Sequence, residues 1–140
     1  MKILSVDFGD ARTGIAACDK DEMMASPLCV ITEYNSTRLA EKIAEIIKTE
    51  GAKMAVVGNP LNMDGTAGER SSLAKKLAQE IAELAGVPVE MWDERRTTVS
   101  ATNYLNLTNV RGKKRKAVID AVSAVIILES YMAYRKNHMC

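Results

Sequence analysis

Three short apolar segments follow one another at the start of the chain, and helical and strand patterns alternate after them. Apolar runs bounded by turn residues predict strands over residues 2–8, 13–18, 25–32, 54–57 and 87–92. Apolar residues at helical spacing predict helices over residues 36–50, 97–105 and 114–134, and one between them with the stripe Leu73, Leu77, Ile81 and Leu84. We therefore expect an α/β fold.

The first three predicted strands form an antiparallel meander, because only short turns separate them. The last two strands each follow a helix, so right-handed crossovers make them parallel to the first strand. The result is a five-stranded mixed sheet flanked by helices. Ligands of such sheets bind at the edge formed by the carboxyl ends of the parallel strands.

Three carboxylates interrupt apolar stretches of the sequence. Asp7 lies near the C-terminal end of the first strand, Glu94 follows the fifth, and Asp120 opens the apolar pattern of the last helix. Burying an unpaired carboxylate costs several kcal/mol, so a hard divalent cation is their natural partner if the fold brings them together. The alternative is three unrelated structural acids, with Asp7 capping a turn at Gly9 and Asp120 on a helix surface.

Composition fits one globular domain spanning residues 1–140, with 47% hydrophobic and 26% charged residues. The longest apolar run, near residues 121–128, is too short to cross a bilayer, and we expect a cytoplasmic protein without membrane contact. Cys18, Cys29 and Cys140 lack the spacing of a disulfide framework or a zinc site.

The near-neutral net charge of +1 conceals a division along the chain. Residues 1–110 carry 12 basic and 16 acidic side chains, whereas residues 111–140 carry 7 basic and 2 acidic ones. A compact basic segment before Asp120 can neutralise several phosphates of a nucleic acid, or it can be a solvated loop. Its members are Arg111, Lys113, Lys114, Arg115 and Lys116.

Four motifs in this order resemble those of the YqgF (RuvX) family of ribonuclease H-like proteins. They are Asp7-Phe8-Gly9, the segment 58–65 (GNPLNMDG), the segment 92–98 (WDERRTT) and the segment 113–120 (KKRKAVID). The resemblance spans nearly the whole chain. The family is described as candidate Holliday-junction resolvases and, in later descriptions, as nucleases that mature the 5′ end of the small-subunit ribosomal RNA precursor.

The resemblance implies the ribonuclease H-like fold and an acidic triad that falls on Asp7, Glu94 and Asp120. It favours Glu94 over its neighbour Asp93, whose side chain faces the other side of an extended segment. Carboxylates that hold one or two Mg²⁺ or Mn²⁺ ions can activate water for phosphodiester hydrolysis. Since the single histidine, His138, lies near the C-terminus, a histidine-based nucleophile is not expected.

Cations near the predicted acidic edge are candidate phosphate contacts. Arg12, Arg70, Arg95 and Arg96 join the basic segment in this role, although Arg12 and Arg70 could instead form ordinary surface ion pairs. The aromatic residues are not spaced as a stacking platform, which favours recognition of the backbone and shape of a nucleic acid over readout of its bases. Trp92 is expected in the core. The loop of residues 58–70 could hold a phosphate or act as a lid, and Thr66 or Ser71 could cap the helix after it.

The first hypothesis is a divalent-metal-dependent nuclease acting on structured nucleic acid, and the family descriptions alone favour precursor ribosomal RNA, with a ribosome precursor as a partner. A Holliday-junction resolvase acting on branched DNA is the alternative, and it would require a two-fold homodimer. Two hypotheses belong to other classes. One is a nucleotide-binding ATPase-like domain, but such a domain contacts phosphates at the turn after Asp7, where the carboxylate of Asp10 would repel them. The other is a non-catalytic nucleic-acid or ribosome-binding module.

Overall fold

The computed structural model describes residues 1–9, 12–22, 24–60, 68–94 and 113–138, and in the last helix it describes the side chains of residues 121–137. The strands are β1 (Ile3–Asp7), β2 (Arg12–Cys18), β3 (Ala25–Thr32), β4 (Met54–Asn59) and β5 (Val89–Asp93). The helices are α1 (Ser36–Glu50), α2 (Glu69–Ala85) and α3 (Lys113–His138). The predicted helix over residues 97–105 lies outside the described residues.

The strands form one sheet in the order β3-β2-β1-β4-β5. β1, β2 and β3 pair antiparallel, and β4 pairs parallel with both β1 and β5. The predicted mixed sheet is thus confirmed. β4 continues two residues beyond its predicted end, since Gly58 and Asn59 pair with Trp92 and Asp93 of β5.

Two apolar layers cover the sheet, because successive residues of a strand face opposite sides. On one face, Leu4, Val6 and Val57 pack with the buried sides of α1 and α2. On the other, Ile3, Val56 and Trp92 pack against α3. The expectation that Trp92 belongs to the core is confirmed, and no helix in the described ranges is long and apolar enough to span a membrane.

The ends of α1 follow from local residues. The side chain of Asn35 accepts a hydrogen bond from the backbone N–H of Arg38, which satisfies one donor of the first turn. At the other end Gly51 adopts a left-handed conformation (φ 70°), and its N–H bonds to carbonyls of the last turn. The helix predicted over residues 36–50 is confirmed at both ends.

The apolar face of α2 differs from the prediction. Leu73 and Leu84 are 45% and 43% exposed, so two members of the predicted stripe lie outside the core. The buried face consists of Ser71, Ala74, Leu77, Ala78 and Ile81. The small alanines let this face of α2 pack closely against its neighbours. With this face toward the core, Leu73 and Leu84 lie at the edge of the buried surface.

Ser71 does not cap α2, contrary to one of the two predictions for this helix end. Gly68 is the N-cap residue and has no side chain to make a capping bond. The Ser71 hydroxyl instead donates to Oδ1 of Asn59 at 2.5 Å and ties the start of α2 to the end of β4. Thr66, the other predicted cap, lies outside the described residues.

Two leucines of α2 test which of its faces is the core. Leu77→Ala should reduce the free energy of unfolding by about 2–5 kcal/mol, because it opens a cavity at a fully packed position. Leu73→Ala should cost less than about 1 kcal/mol, because this side chain is already half exposed. Urea unfolding followed by circular dichroism measures both, and equal losses would contradict the orientation of α2.

Candidate active site

Asp7 is the last residue of β1 and lies at the carboxyl edge of the sheet. Two residues earlier, the buried Ser5 donates its hydroxyl to the Ala124 carbonyl of α3 at 2.6 Å. Ile3, two residues earlier again, packs in the α3 layer. By the alternation of side chains along a strand, Asp7 lies on this same face, which we call the α3 face.

Glu94 directly follows β5, and its carboxylate also lies on the α3 face. A Cβ atom at Gly58 would be 2.8 Å from Oε1 of Glu94 and 2.7 Å from Cδ1 of Ile127, a residue of α3. The Glu94 carboxylate and the Ile127 side chain therefore both lie over Gly58. Only a glycine leaves this volume open, since those distances are shorter than side-chain contacts allow.

Asp7 and Glu94 flank the same point of the sheet, because β4, which carries Gly58, lies between β1 and β5. Val6 of β1 pairs with Val57 of β4 in the parallel ladder. The next residue of β1 is Asp7, and the next residue of β4 is Gly58. Adjacent strands are about 4.8 Å apart. The Glu94 carboxylate, which covers Gly58, thus lies beside the strand position that Asp7 occupies.

Asp93 lies on the opposite face. Its neighbour two residues earlier, Met91, packs against the layer of α1 and α2. Its partner across the ladder is Asn59, whose side chain contacts Ser71 of α2. This register gives a physical reason for the choice of Glu94, because only Glu94 shares a face with Asp7.

The direction of α3 brings its beginning to the carboxyl edge. Ile127 lies over Gly58 at the end of β4, whereas the Tyr131 hydroxyl reaches the sulfur of Met54 at its start, 3.8 Å away. Asp120 precedes Ala124, which contacts Ser5, by about one helical turn. The Asp120 backbone is therefore on the turn of α3 nearest Asp7, and its side chain lies outside the described part.

The far end of α3 is held by aromatic and charged contacts. The Trp92 indole N–H donates to the Ser130 hydroxyl at 3.1 Å, and its ring meets Tyr131 edge to face at 5.4 Å between centroids. Nε of Arg135 lies 2.8 Å from Oε1 of Glu22, and this guanidinium is the main reason that the pKa of Glu22 lies below its ordinary value. These contacts fix the axis of the helix that carries Asp120.

The predicted phosphate contacts are described only in part. Arg12 starts β2 and Arg70 lies in the first turn of α2, both exposed and both at the carboxyl edge. Lys113, Lys114, Arg115 and Lys116 form the start of α3, with side chains outside the described part. Arg95, Arg96 and Arg111 also lie outside it, as do Asp10 and residues 61–67 of the predicted loop.

The two described acids fit a hard divalent cation. Carboxylate oxygens select Mg²⁺ or Mn²⁺ over zinc. Among the described side chains no group of three metal-ligating residues occurs, and Asp120, the third predicted ligand, is not one of these side chains. The triad stays a prediction.

Sequence reasoning missed two residues that shape this site. The sequence pattern places Gly58 in a loop, although a glycine directly after an apolar strand signals close approach of another group. Ser5, a polar residue inside an apolar strand, contacts the backbone of α3. Its burial among apolar neighbours was the available signal, since a buried hydroxyl requires a partner.

Known proteins resemble this chain over its whole length. A protein from Carboxydothermus hydrogenoformans, named "Putative pre-16S rRNA nuclease", is 37% identical and covers 99% of this chain and 100% of its own. A protein of the same name from Lachnospira eligens is 38% identical and covers 98% and 100%.

Solved structures share the fold at low sequence identity. RuvC of Thermus thermophilus, in complex with a Holliday junction substrate, has a TM-score of 0.66 at 14% identity and covers 99% of this chain and 97% of its own. The fowlpox virus Holliday junction resolvase has a TM-score of 0.60 at 13% identity and covers 96% and 99%. The ribonuclease H-like fold is thereby confirmed.

The family description "RuvX: Holliday junction resolvase" matches residues 1–134. This match and the full-length relatives agree with the four motifs that carry the resemblance in the sequence. The chain belongs to the RuvX family.

Proposed function

We propose that this protein is a nuclease that hydrolyses phosphodiester bonds at the carboxyl edge of its sheet, with Asp7, Glu94 and Asp120 as ligands of Mg²⁺ or Mn²⁺. The observation that carries the proposal is that Glu94 covers Gly58 on the same face as Asp7, one strand away. The direction of α3, which begins at this edge, supports Asp120 as the third ligand.

The ligands and the basic residues have separate tasks. Ions bound by the three carboxylates supply Lewis-acid chemistry that activates water and offsets charge on the leaving oxygen. Asp7 and Glu94 orient their oxygens from two strands. Arg12, Arg70 and the basic start of α3 bind phosphates on either side, where guanidinium groups offer paired donors.

Precursor 16S ribosomal RNA is the preferred substrate, cut at or near the 5′ end of the mature sequence. The relatives that support this choice are 33–38% identical, cover nearly the whole chain and carry the name "Putative pre-16S rRNA nuclease". The proposed partners are thus a structured RNA and, through it, a ribosome precursor. A cytoplasmic location follows from this role.

A Holliday-junction resolvase is the second candidate, and the family description that matches residues 1–134 favours it. Symmetric cutting of two strands requires two active sites related by a two-fold axis. Sedimentation of a complex with a four-way junction therefore separates the candidates, because a resolvase binds as a dimer.

Cleavage assays on three substrates test the proposed function. Precursor 16S RNA, a four-way DNA junction and a single strand are incubated with Mn²⁺ and each variant. Asp7→Asn and Asp120→Asn should each lower the cleavage rate at least about a hundredfold, because a lost ligand removes metal activation. Asp21→Asn, an exposed acid in the β2–β3 turn, is the control and should cleave normally.

Cleavage that persists in both site variants would come from another site or a contaminant. Absence of cleavage on every substrate, together with salt-sensitive RNA binding that Asp7→Asn leaves unchanged, would favour the non-catalytic module. Calorimetric binding of Mg²⁺-ATP would favour the ATPase-like alternative.

Neighbouring acids on opposite faces provide a matched pair. Glu94→Gln should reduce cleavage as strongly as Asp7→Asn, whereas Asp93→Asn should retain at least about a third of the wild-type rate, because it faces α2. Single-turnover rates on the best substrate measure the difference. Equal losses in the two variants would mean that the face assignment is wrong.

Gly58→Ala tests how Glu94 is positioned. The added Cβ would overlap the Glu94 carboxylate and displace it, so cleavage should fall at least about tenfold. Ile127 can yield, because the contact is with the end of a flexible side chain. Gly51→Ala is the control: its left-handed backbone makes it lose about 1 kcal/mol of stability without approaching the site. Similar cleavage by both variants would contradict the proposed role of Gly58.

A further inference from the structure

One aromatic ring stands exposed at the edge where the acids lie. Tyr34 is 81% exposed, more than any other large apolar side chain in the described ranges. By contrast, Tyr131 is 3% exposed, and Tyr134 packs on Trp92 with 5.3 Å between ring centroids. Burial in the core therefore does not account for Tyr34.

The sheet topology brings Tyr34 to the carboxyl edge. β2 runs antiparallel to β1 and begins where β1 ends, and its first residue, Arg12, pairs with Thr32 at the end of β3. Tyr34 follows Thr32 by two residues, in the connection to α1. The order along this edge is thus Tyr34, Arg12, Asp7 and then Glu94.

The charges around Tyr34 suit a phosphate backbone. Glu33 is the acidic neighbour, and its carboxylate lies 3.0 Å from Nζ of Lys42. This ion pair is the main reason that the pKa of Glu33 lies below its ordinary value, with a smaller contribution from Arg38. Lys42 compensates this anion, and two exposed cations lie close by in the chain or across the sheet, Arg38 at the start of α1 and Arg12 opposite Thr32.

We propose that Tyr34 stacks on an unpaired base of the substrate strand, beside the bond that the proposed nuclease site cleaves. β3 lies two strands from β1, about 10 Å away, which corresponds to about three stacked nucleotides. An exposed ring serves any base, since every base offers a flat face. The inference rests on the proposed function and specifies its substrate: a strand that is single-stranded next to the cut.

Binding without metal tests the assignment separately from cleavage. A labelled RNA strand of about 12 nucleotides, within the range that single-strand binders cover, is titrated in EDTA. Tyr34→Ala should raise Kd about tenfold, and Tyr34→Phe should stay within about twofold, because the ring is kept. Met24→Ala is the control, since this 71% exposed side chain lies at the opposite edge of the sheet.

Two further readouts distinguish stacking from charge and from folding. Tyr34→Ala should leave the salt dependence of binding unchanged, whereas Arg12→Ala should lower its slope by about one ion. Tyr34→Ala should bind a blunt duplex as the wild type does. The melting temperature of the variant protein should match that of the wild type, because an exposed ring contributes little to stability.

The assignment is overturned if Tyr34→Ala binds the single strand as the wild type does, or if it loses single-strand and duplex binding equally. The nuclease proposal is judged on its own by Asp7→Asn. Lost cleavage in Asp7→Asn with unchanged binding in Tyr34→Ala would refute only the stacking. Normal cleavage in Asp7→Asn with weakened binding in Tyr34→Ala would refute only the active site.

Discussion

The packing of α3 against one face of the sheet is the interaction on which the candidate active site depends. The Ser5 hydroxyl meets the Ala124 carbonyl at 2.6 Å, and Ile127 lies directly over Gly58. Such closeness requires small residues at the contact, and Ser5, Gly58 and Ala124 supply them. The same helix that closes the core on this face thereby carries Asp120 to the edge where Asp7 and Glu94 end their segments.

The division of charge along the chain acquires a spatial meaning in this fold. The first 110 residues, which include the five strands, α1 and α2, carry more acids than bases, whereas the last 30 residues carry the basic excess. The backbone of α3 begins on the side of the acidic edge, so the basic residues of its first turn precede Asp120 along the helix. In the proposed function this order assigns metal binding to the acids and phosphate binding to the basic residues.

Local patterns were enough to predict the sheet and α1, because strand alternation and the ends of α1 depend on nearby residues. β4 was predicted too short, since Gly58 and Asn59 resemble a turn and only pairing with β5 keeps them extended. The predicted buried face of α2 is wrong at Leu73 and Leu84, because alanine contributes little to an apolar sequence pattern yet permits the closest packing. The edge that holds Asp7 and Glu94 followed from topology, but the opposite facing of Asp93 required the observed register.

We propose that three carboxylates, from β1, the end of β5 and α3, share a divalent cation. Crystals grown with Mn²⁺ test it most directly through the anomalous scattering of the metal. We predict an anomalous peak within about 2.5 Å of oxygens from Asp7, Glu94 and Asp120 together. A peak bound elsewhere, or an Asp120 carboxylate held in a separate ion pair, would show that the three acids do not form one metal site.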